Sequence, residues 1–353
     1  MTMNRKKVVF ALGMAVFMLH IASAQDVLLV PNGALPRAGA LSSDNVQKFS
    51  LNTGTHLGVF ASSTDEFGAD NGKGILDDPS DVVIGPDSLV YVSFIETWSG
   101  GNNGGVARFN QDGSYHDLFL DFDPGGNAAN HVTDPAGLAF DANGYLYVTD
   151  PGIDYAVRRY DSSGTLDVSY DFGERGNPAP RDIVRIGNNM VVNGKSNDSL
   201  YRHFDIDTGS TGTVTVDNGW IHGMTLTDEG DLFSISAPND NDGDQDIALW
   251  DNPLSGVGSV TPSFAADDST GSVAFGIFYH DSELLVHDGT EGKIRVFDAT
   301  TGAEQTPLVD DTDLLAGSAW GMAVIPEPGT LSLVFGALAI ALWRGTGLAR
   351  ARC

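Results

Sequence analysis

The chain has 353 residues, 47 of them acidic and 19 basic, for a net charge of −28. A surface of that sign repels phosphate backbones and anionic membranes, which argues against nucleic-acid or phospholipid binding. The one cysteine, Cys353, is the last residue, so an internal disulfide is excluded and a core must hold the fold. Glycine is abundant at 43 residues without a collagen period, as in a turn-rich all-β protein.

Met1–Ala24 has the pattern of a secretory signal peptide. Arg5-Lys6-Lys7 is the charged start, Val8–Ile21 the apolar run, and Ala22-Ser23-Ala24 a small-x-small cleavage site before Gln25. Residues 25–325 then read as one domain. Its clearest unit is Asp134–Tyr160: strand, turn, strand, loop, strand. Leu138, Phe140, Leu146 and Val148 alternate with small or polar residues, and Asp141-Ala142-Asn143-Gly144 supplies the turn.

The start of that unit recurs. It reads Pro79–Ile84, Pro135–Phe140, Pro180–Arg185, Ile221–Leu226, Ala274–Tyr279 and Ala319–Val324, spaced by 41 to 56 residues. Several short strands per repeat of this length predict a β-propeller. The second unit should hold strands near Asp81–Ile84, Leu89–Ser93, Gly105–Phe109 and Tyr115–Phe119. The last complete unit should hold Gly276–Tyr279, Glu283–Val286, Lys293–Phe297 and Glu304–Leu308. Asp26–Val30, Asn45–Ser50 and Thr55–Phe60 lack a first strand, whereas Trp320–Val324 is a first strand with no blade after it. The expectation is therefore an all-β, six-bladed propeller, closed by pairing the C-terminal strand with the N-terminal blade.

Past the body, Ile325-Pro326-Glu327-Pro328-Gly329-Thr330 leads into an apolar run, Leu331–Trp343, and then Arg344, Arg350 and Arg352. The run is short for a membrane span of ~20 residues, and the arginines after it fit a stop-transfer tail. The six basic residues at the two ends leave the body 47 acidic against 13 basic groups, or −34.

The ordered triple of Pro326-Glu327-Pro328, apolar run and basic cluster resembles the PEP-CTERM sorting signal of Gram-negative bacteria, over Ile325–Cys353 only. The resemblance implies recognition by an exosortase, removal of the tail near the motif, and a secreted or cell-surface destination in bacteria that make exopolysaccharide. The arginines here are more dispersed than in that pattern. The body resembles NHL-like propellers, and more loosely gluconolactonase-type propellers. The likeness rests on the Pro-x-Gly-Leu-Ala-Phe-Asp and Gly-x-Leu-Tyr-Val-Thr-Asp segments between Pro135 and Asp150.

Two rings of residues should surround the channel on the face of the longer connections Val30–Asp44, Thr97–Gly105 and Ala237–Asp246. One is Ser80, Ala136, Arg181, His222, Phe275 and Trp320. The other is Asn32, Phe94, Asp150, Gly194, Ser236 and Asp288, with Asp78, His131 and Asp134 flanking. Apolar lining with a few convergent polar groups is the pattern of a binding site. The ligand-binding candidates are Arg181, His222, Phe275, Trp320, Asn32, Asp150 and Asp288.

Carboxylates and amides from different blades could hold Ca²⁺; equally, Asp150 and Asp288 could pin loops through backbone N–H groups. The gluconolactonase likeness implies a divalent-ion site built from Glu, Asn and Asp, but Ser80 and Ala136 stand where a Glu ligand would be expected. Asp240, Asp242, Asp244 and Asp246 form the densest acidic loop, a weak Ca²⁺ candidate with Pro238 in the first ligand place. No Gly-x-Ser-x-Gly, His-Glu-x-x-His, Walker or Cys-x-x-Cys motif is present. Two function classes remain. One is an exported binding or scaffold propeller of the envelope or exopolysaccharide; the other is a metal-dependent hydrolase or lactonase at the channel mouth.

Overall fold

The computed structural model describes residues 26–33, 44–62, 76, 78–96, 103–120, 132–151, 155–171, 179–195, 200–215, 220–237, 246–250, 253–254, 260–265, 274–315 and 321–326. These residues form six four-stranded antiparallel sheets and no helix. The first blade holds β1 (Val27–Asn32), β2 (Asn45–Ser50) and β3 (His56–Ser62). The second runs through β4 (Pro79–Ile84), β5 (Val90–Glu96), β6 (Asn103–Phe109) and β7 (Tyr115–Leu120). The third has β8 (Leu138–Phe140), β9 (Leu146–Asp150), β10 (Ala156–Tyr160) and β11 (Leu166–Asp171). The fourth has β12 (Ala179–Ile186), β13 (Asn189–Lys195), β14 (Leu200–Asp205) and β15 (Thr211–Thr215). The fifth has β16 (Trp220–Leu226), β17 (Leu232–Ala237), β18 (Asp246–Trp250) and β19 (Val260–Ala265). The sixth has β20 (Ala274–His280), β21 (Glu283–Asp288), β22 (Lys293–Asp298) and β23 (Val309–Asp310). Finally β24 (Ala323–Ile325) lies beside β1, with Val27 opposite Ile325 and Leu29 opposite Ala323. The fold is a six-bladed all-β propeller.

One expected strand is displaced. The outer strand of the sixth blade was placed at Glu304–Leu308, but the paired segment is Val309–Asp310. Glu304 makes only an isolated bridge to Phe297, and the N–H groups of Gln305 and Leu308 reach back to Val296 and Ile294. The segment tracks β22 without a regular ladder, because Thr306-Pro307 removes one donor from it.

Short turns follow from local chemistry. Asp141 Oδ1 accepts the N–H groups of Asn143 and Tyr145, and Gly144 takes a φ of 85° that closes the turn between β8 and β9. The turns between third and fourth strands use the same device, with Asp161 and Asp298 each capping two following N–H groups. The glycine in three of these turns packs on the preceding blade. A Cβ at Gly54, Gly113 or Gly164 would collide with the carbonyl oxygen of Leu308, Phe60 or Phe119 respectively.

The core is divided among blade junctions rather than gathered at one centre. Leu29, Phe60, Val82, Val92 and Phe109 pack the first blade on the second. Tyr91, Val106, Leu138 and Tyr160 join the second to the third, and Tyr147, Val157, Met190 and Phe204 the third to the fourth. Val191, Met224 and Trp250 join the fourth to the fifth; Phe233, Ile247, Ile277 and Phe297 join the fifth to the sixth. Leu28, Val30 and Phe49 meet Leu285, Ile294 and Val309 of the sixth. Burying each such side chain contributes about 1.5–3 kcal/mol, so every junction is a small core of its own.

Candidate functional site

The inner strands break their pairing where they approach the channel. The register shifts between Pro79 and Asp81, between Pro180 and Ile183, between Ile221 and Met224, and between Ala274 and Gly276. Each shift is a β-bulge, which leaves an N–H without a ladder partner and re-aims the side chains around it. Second-strand side chains take up that donor. Ser93 Oγ accepts from Asp81 N at 3.0 Å, Thr149 Oγ1 from Gly137 N at 2.7 Å, and Asn193 Oδ1 from Asp182 N at 2.7 Å. The same hydroxyls reach the next blade: Ser93 Oγ donates to Ala136 O and Thr149 Oγ1 to Arg181 O. Ser80, expected at the rim, is buried and donates its Oγ to Pro135 O at 3.0 Å.

Asp81 and Asp182 stand at the bulges of the second and fourth blades, both almost fully buried. Asp81 Oδ1 accepts from Val82 N, and its Oδ2 accepts from Leu138 N of the third blade at 2.7 Å. Asp182 repeats this with Ile183 N and with Met224 N of the fifth blade, at 2.5 Å. Burial pushes the Asp81 carboxyl up to about 7, against the pull of its two N–H donors. Burial, and then the neighbouring Asp81 charge, push Asp182 well above the carboxylate range. Sequence reasoning missed this pair. The trace was there in the third position of the recurring strand start, which reads Asp81, Gly137, Asp182, Gly223, Gly276 and Gly321.

Asp150 ends β9 and is fully buried. Its Oδ1 accepts from Thr133 Oγ1 and Asp134 N, and its Oδ2 from Thr133 N and the guanidinium of Arg158, which is 4% exposed. The carboxylate thus pins the segment before β8 to its own blade. Arg181 lies on β12 next to Asp134. Burial lowers the Arg181 guanidinium while the Asp134 charge raises it; burial raises the Asp134 carboxyl while Arg181 lowers it. The structure therefore brings Asp150, Asp134 and Arg181 into one electrostatic neighbourhood at the third and fourth blades.

The other candidates lie elsewhere. Asn32, at the end of β1, is buried and donates Nδ2 to Leu314 O at 3.0 Å. Asp288 is three blades from Asp150; its Oδ1 caps the N–H groups of Thr290 and Glu291. Beside it His287 is buried against the Leu315 backbone, and burial pushes its ring down to about 4. His222 and Phe275 lie on β16 and β20, with their side chains outside the described residues, and Trp320 lies outside them altogether. So do Asp240, Asp242 and Asp244, whereas the Asp246 backbone begins β18 and pairs with Ser236. Pro326 is exposed just past β24; Glu327, Pro328, the run Leu331–Trp343 and the cleavage residues Ala22 and Ala24 lie outside. Among the described residues no three His, Cys, Asp or Glu side chains gather as a metal-holding group, and no helix is long and apolar enough to cross a membrane.

No family model matches the chain, and no curated protein matches it by sequence. Solved structures do match its shape. A chain of a nidogen/laminin complex superposes with a TM-score of 0.60 at 14% identity, covering 84% of this chain and 98% of that one. A putative 6-phosphogluconolactonase from Bacteroides uniformis gives 0.54 at 15%, covering 86% and 100%. A protein of unknown function from Bacteroides caccae gives 0.55 at 13%, again covering 86% and 100%. At such identities the likeness is one of fold: this chain is built like those six-bladed propellers.

Proposed function

We propose that the chain is an exported binding or scaffold propeller, directed to the envelope or cell exterior by Met1–Ala24 and by the tail 326–353, with residues 25–325 as the working domain. The observation that carries this reading is the full engagement of the Asp150 carboxylate. Asp150 has both oxygens taken by four protein donors, and Asp288 caps its own turn. These groups hold loops in place, which suits a rigid platform for a ligand better than a metal-activated hydrolytic centre. The ligand is a glycan or protein reached through the longer connections, with exosortase as the partner in sorting. The pairing of β24 with β1, and the packing of Leu28 and Phe49 on Leu285 and Ile294, support a ring closed through the first blade.

The test is metal analysis of the full-length chain, a thermal melt with and without EDTA, and binding to a glycan array. The binding reading expects no bound metal, an unchanged melting temperature, and retention of a defined glycan class. Stoichiometric Ca²⁺, with a fall in melting temperature on chelation, would favour the alternative of a lactonase-type hydrolase.

A further inference from the structure

The segment Asp311–Leu315 bridges the sixth blade and the first on the face of the longer connections. Asp311 N donates to Gly292 O in the turn between β21 and β22, and Asn32 Nδ2, at the end of β1, donates to Leu314 O at 3.0 Å. Asp311 O accepts the N–H groups of Leu314 and Leu315, so the segment closes on itself as a turn. Leu315 is fully buried, in one apolar cluster with Leu28 and Val30 of β1 and with Leu285 and Ile294 of the sixth blade. The segment is a strap over the junction of those two blades. Beneath it lies His287, with Gly276 and Ile294 opposite in the ladder and Leu285 two residues back on the same face. The ring is fully buried beside the Leu315 backbone, and neither ring nitrogen makes a well-formed hydrogen bond. An imidazole so placed is held neutral, because an imidazolium there would lose its water and gain no acceptor.

We propose that His287 and the strap Asp311–Leu315 form an acid-sensitive latch on the junction between the first and sixth blades: the neutral ring lets the strap close over it, and protonation of the ring drives the strap open.

The charged groups of the surrounding elements are engaged elsewhere. On β21, Asp288 lies on the other face of the sheet and caps Thr290 and Glu291, and Glu283 stands at the far end. On β22, Lys293 and Arg295 flank Ile294 on that other face, paired with Glu291 and Glu304. On β20, Tyr279 and His280 stand at the end away from Gly276. Into the junction β1 sends Leu28, Val30 and Asn32, and Phe49, Met322 and Val324 close it from β2 and the β24 side, none of them titratable. In and beside the strap, Asp311 Oδ1 accepts from Asp313 N, and Asp310 and Asp313 are exposed.

The sign follows from burial. Under the closed strap the ring is pushed down to about 4, whereas a ring opened to water titrates near the ordinary 6.5. Between those values the open form takes up a proton that the closed form refuses. The closed latch is therefore fully stable above about pH 7, and opening is favoured about 10-fold per pH unit as pH falls from 6.5 towards 4.

Hydrogen exchange of the full-length chain between about pH 7.5 and 4.5, corrected for the pH dependence of a free amide, is the experiment. Protection at Asp311, Leu314 and Leu315 should be constant above about pH 7 and fall roughly 100-fold between about pH 6.5 and 4.5. Amides of β9 and β10 in the third blade should keep theirs, a contrast read on the wild type alone. H287F should hold the strap's protection flat across the range, and H287Q, neutral and smaller, should do the same where the phenylalanine is not accommodated. N32A, which removes one bond to the strap, should lower its protection by a constant factor and leave the slope intact. A strap whose protection is the same at every pH, a slope that survives in both H287F and H287Q, an equal fall in the third blade, or strap protection untouched by N32A overturns the proposal.

Discussion

At the scale of single residues, stability rests in part on buried polar groups held by specific partners. The Asp150–Arg158 pair is the sharpest case, because both members are buried and four donors converge on one carboxylate. Asp150→Asn leaves Arg158 buried without its counter-charge and should cost about 3–5 kcal/mol, read as a lowered midpoint in denaturant. Gly54 has a φ of 66° and no room for a methyl group beside Leu308 O. Gly54→Ala should therefore cost about 2 kcal/mol or more, from left-handed strain and overlap together. A comparable change at Gly187, where nothing lies within 4 Å of the new carbon, should cost only the strain, about 1 kcal/mol. The exposed turn carboxylates respond to acid through the bonds they accept. A side-chain bond from Ser163 holds Asp161 below its usual range, and backbone bonds from Thr208 and Thr301 do the same for Asp205 and Asp298. Their contribution is present above the ordinary aspartate range and disappears below it, read as a denaturation midpoint that falls once the pH drops below about 4.

At the scale of elements, two blades share a cross-strand ladder. Arg108 on β6 forks onto Asp117 of β7, contacts Tyr91 of β5 through its hydroxyl, and lies 4.9 Å from the Phe119 ring centre. Arg159 on β10 does the same with Asp167, Tyr147 and the ring of Tyr145. Arg108→Ala should cost about 1–2 kcal/mol, more than an ordinary surface ion pair, because a bidentate bond and ring packing are lost together. Thermal melts of R108A and R159A should agree within error if the ladder is one repeated device. The strands themselves were legible in the sequence. Alternation and the Asp–Asn–Gly turn gave Leu138–Phe140 and Leu146–Asp150, and the recurrence gave six units. The bulges were not legible, since one extra residue in an inner strand leaves the apolar pattern readable either way. For that reason Ser80 was expected at the rim, while Asp81 and Asp182 went unnoticed one position further on. The fourth strand of the last blade was misplaced because Pro307 lacks a donor, so Glu304–Leu308 follows β22 through single bonds and the ladder forms only at Val309–Asp310.

At the scale of the molecule, cohesion comes from the junctions. Each has its own apolar cluster, and most carry a named polar link, such as Thr225 Oγ1 accepting from Tyr279 N between the fifth and sixth blades. Stability is thus spread over the blade junctions, and within the first blade β24 is held to β1 by three paired residues. Truncation before Ala319 should expose the inner edge of β1. The expected result is a broad, early melt and association in size-exclusion chromatography, against a sharp monomeric profile for the full chain. The outer strand β3 already blunts its own edge: two register shifts and Gly58 interrupt it where Leu57 and Val59 are exposed.

The antiparallel register of β1 and β24 has a geometric consequence. Val27 begins a second strand and Ile325 ends a first strand, and the two lie side by side. Both strand ends therefore lie on the side of the tight turns, with the Gly85–Leu89 and Asp141–Tyr145 connections, and away from the long ones. A tether attached at either terminus would act as a stalk beneath the disc. The long connections would then face outward from whatever surface holds it, like the bowl of a receiving dish, and two such molecules on one surface would present the same side to the medium.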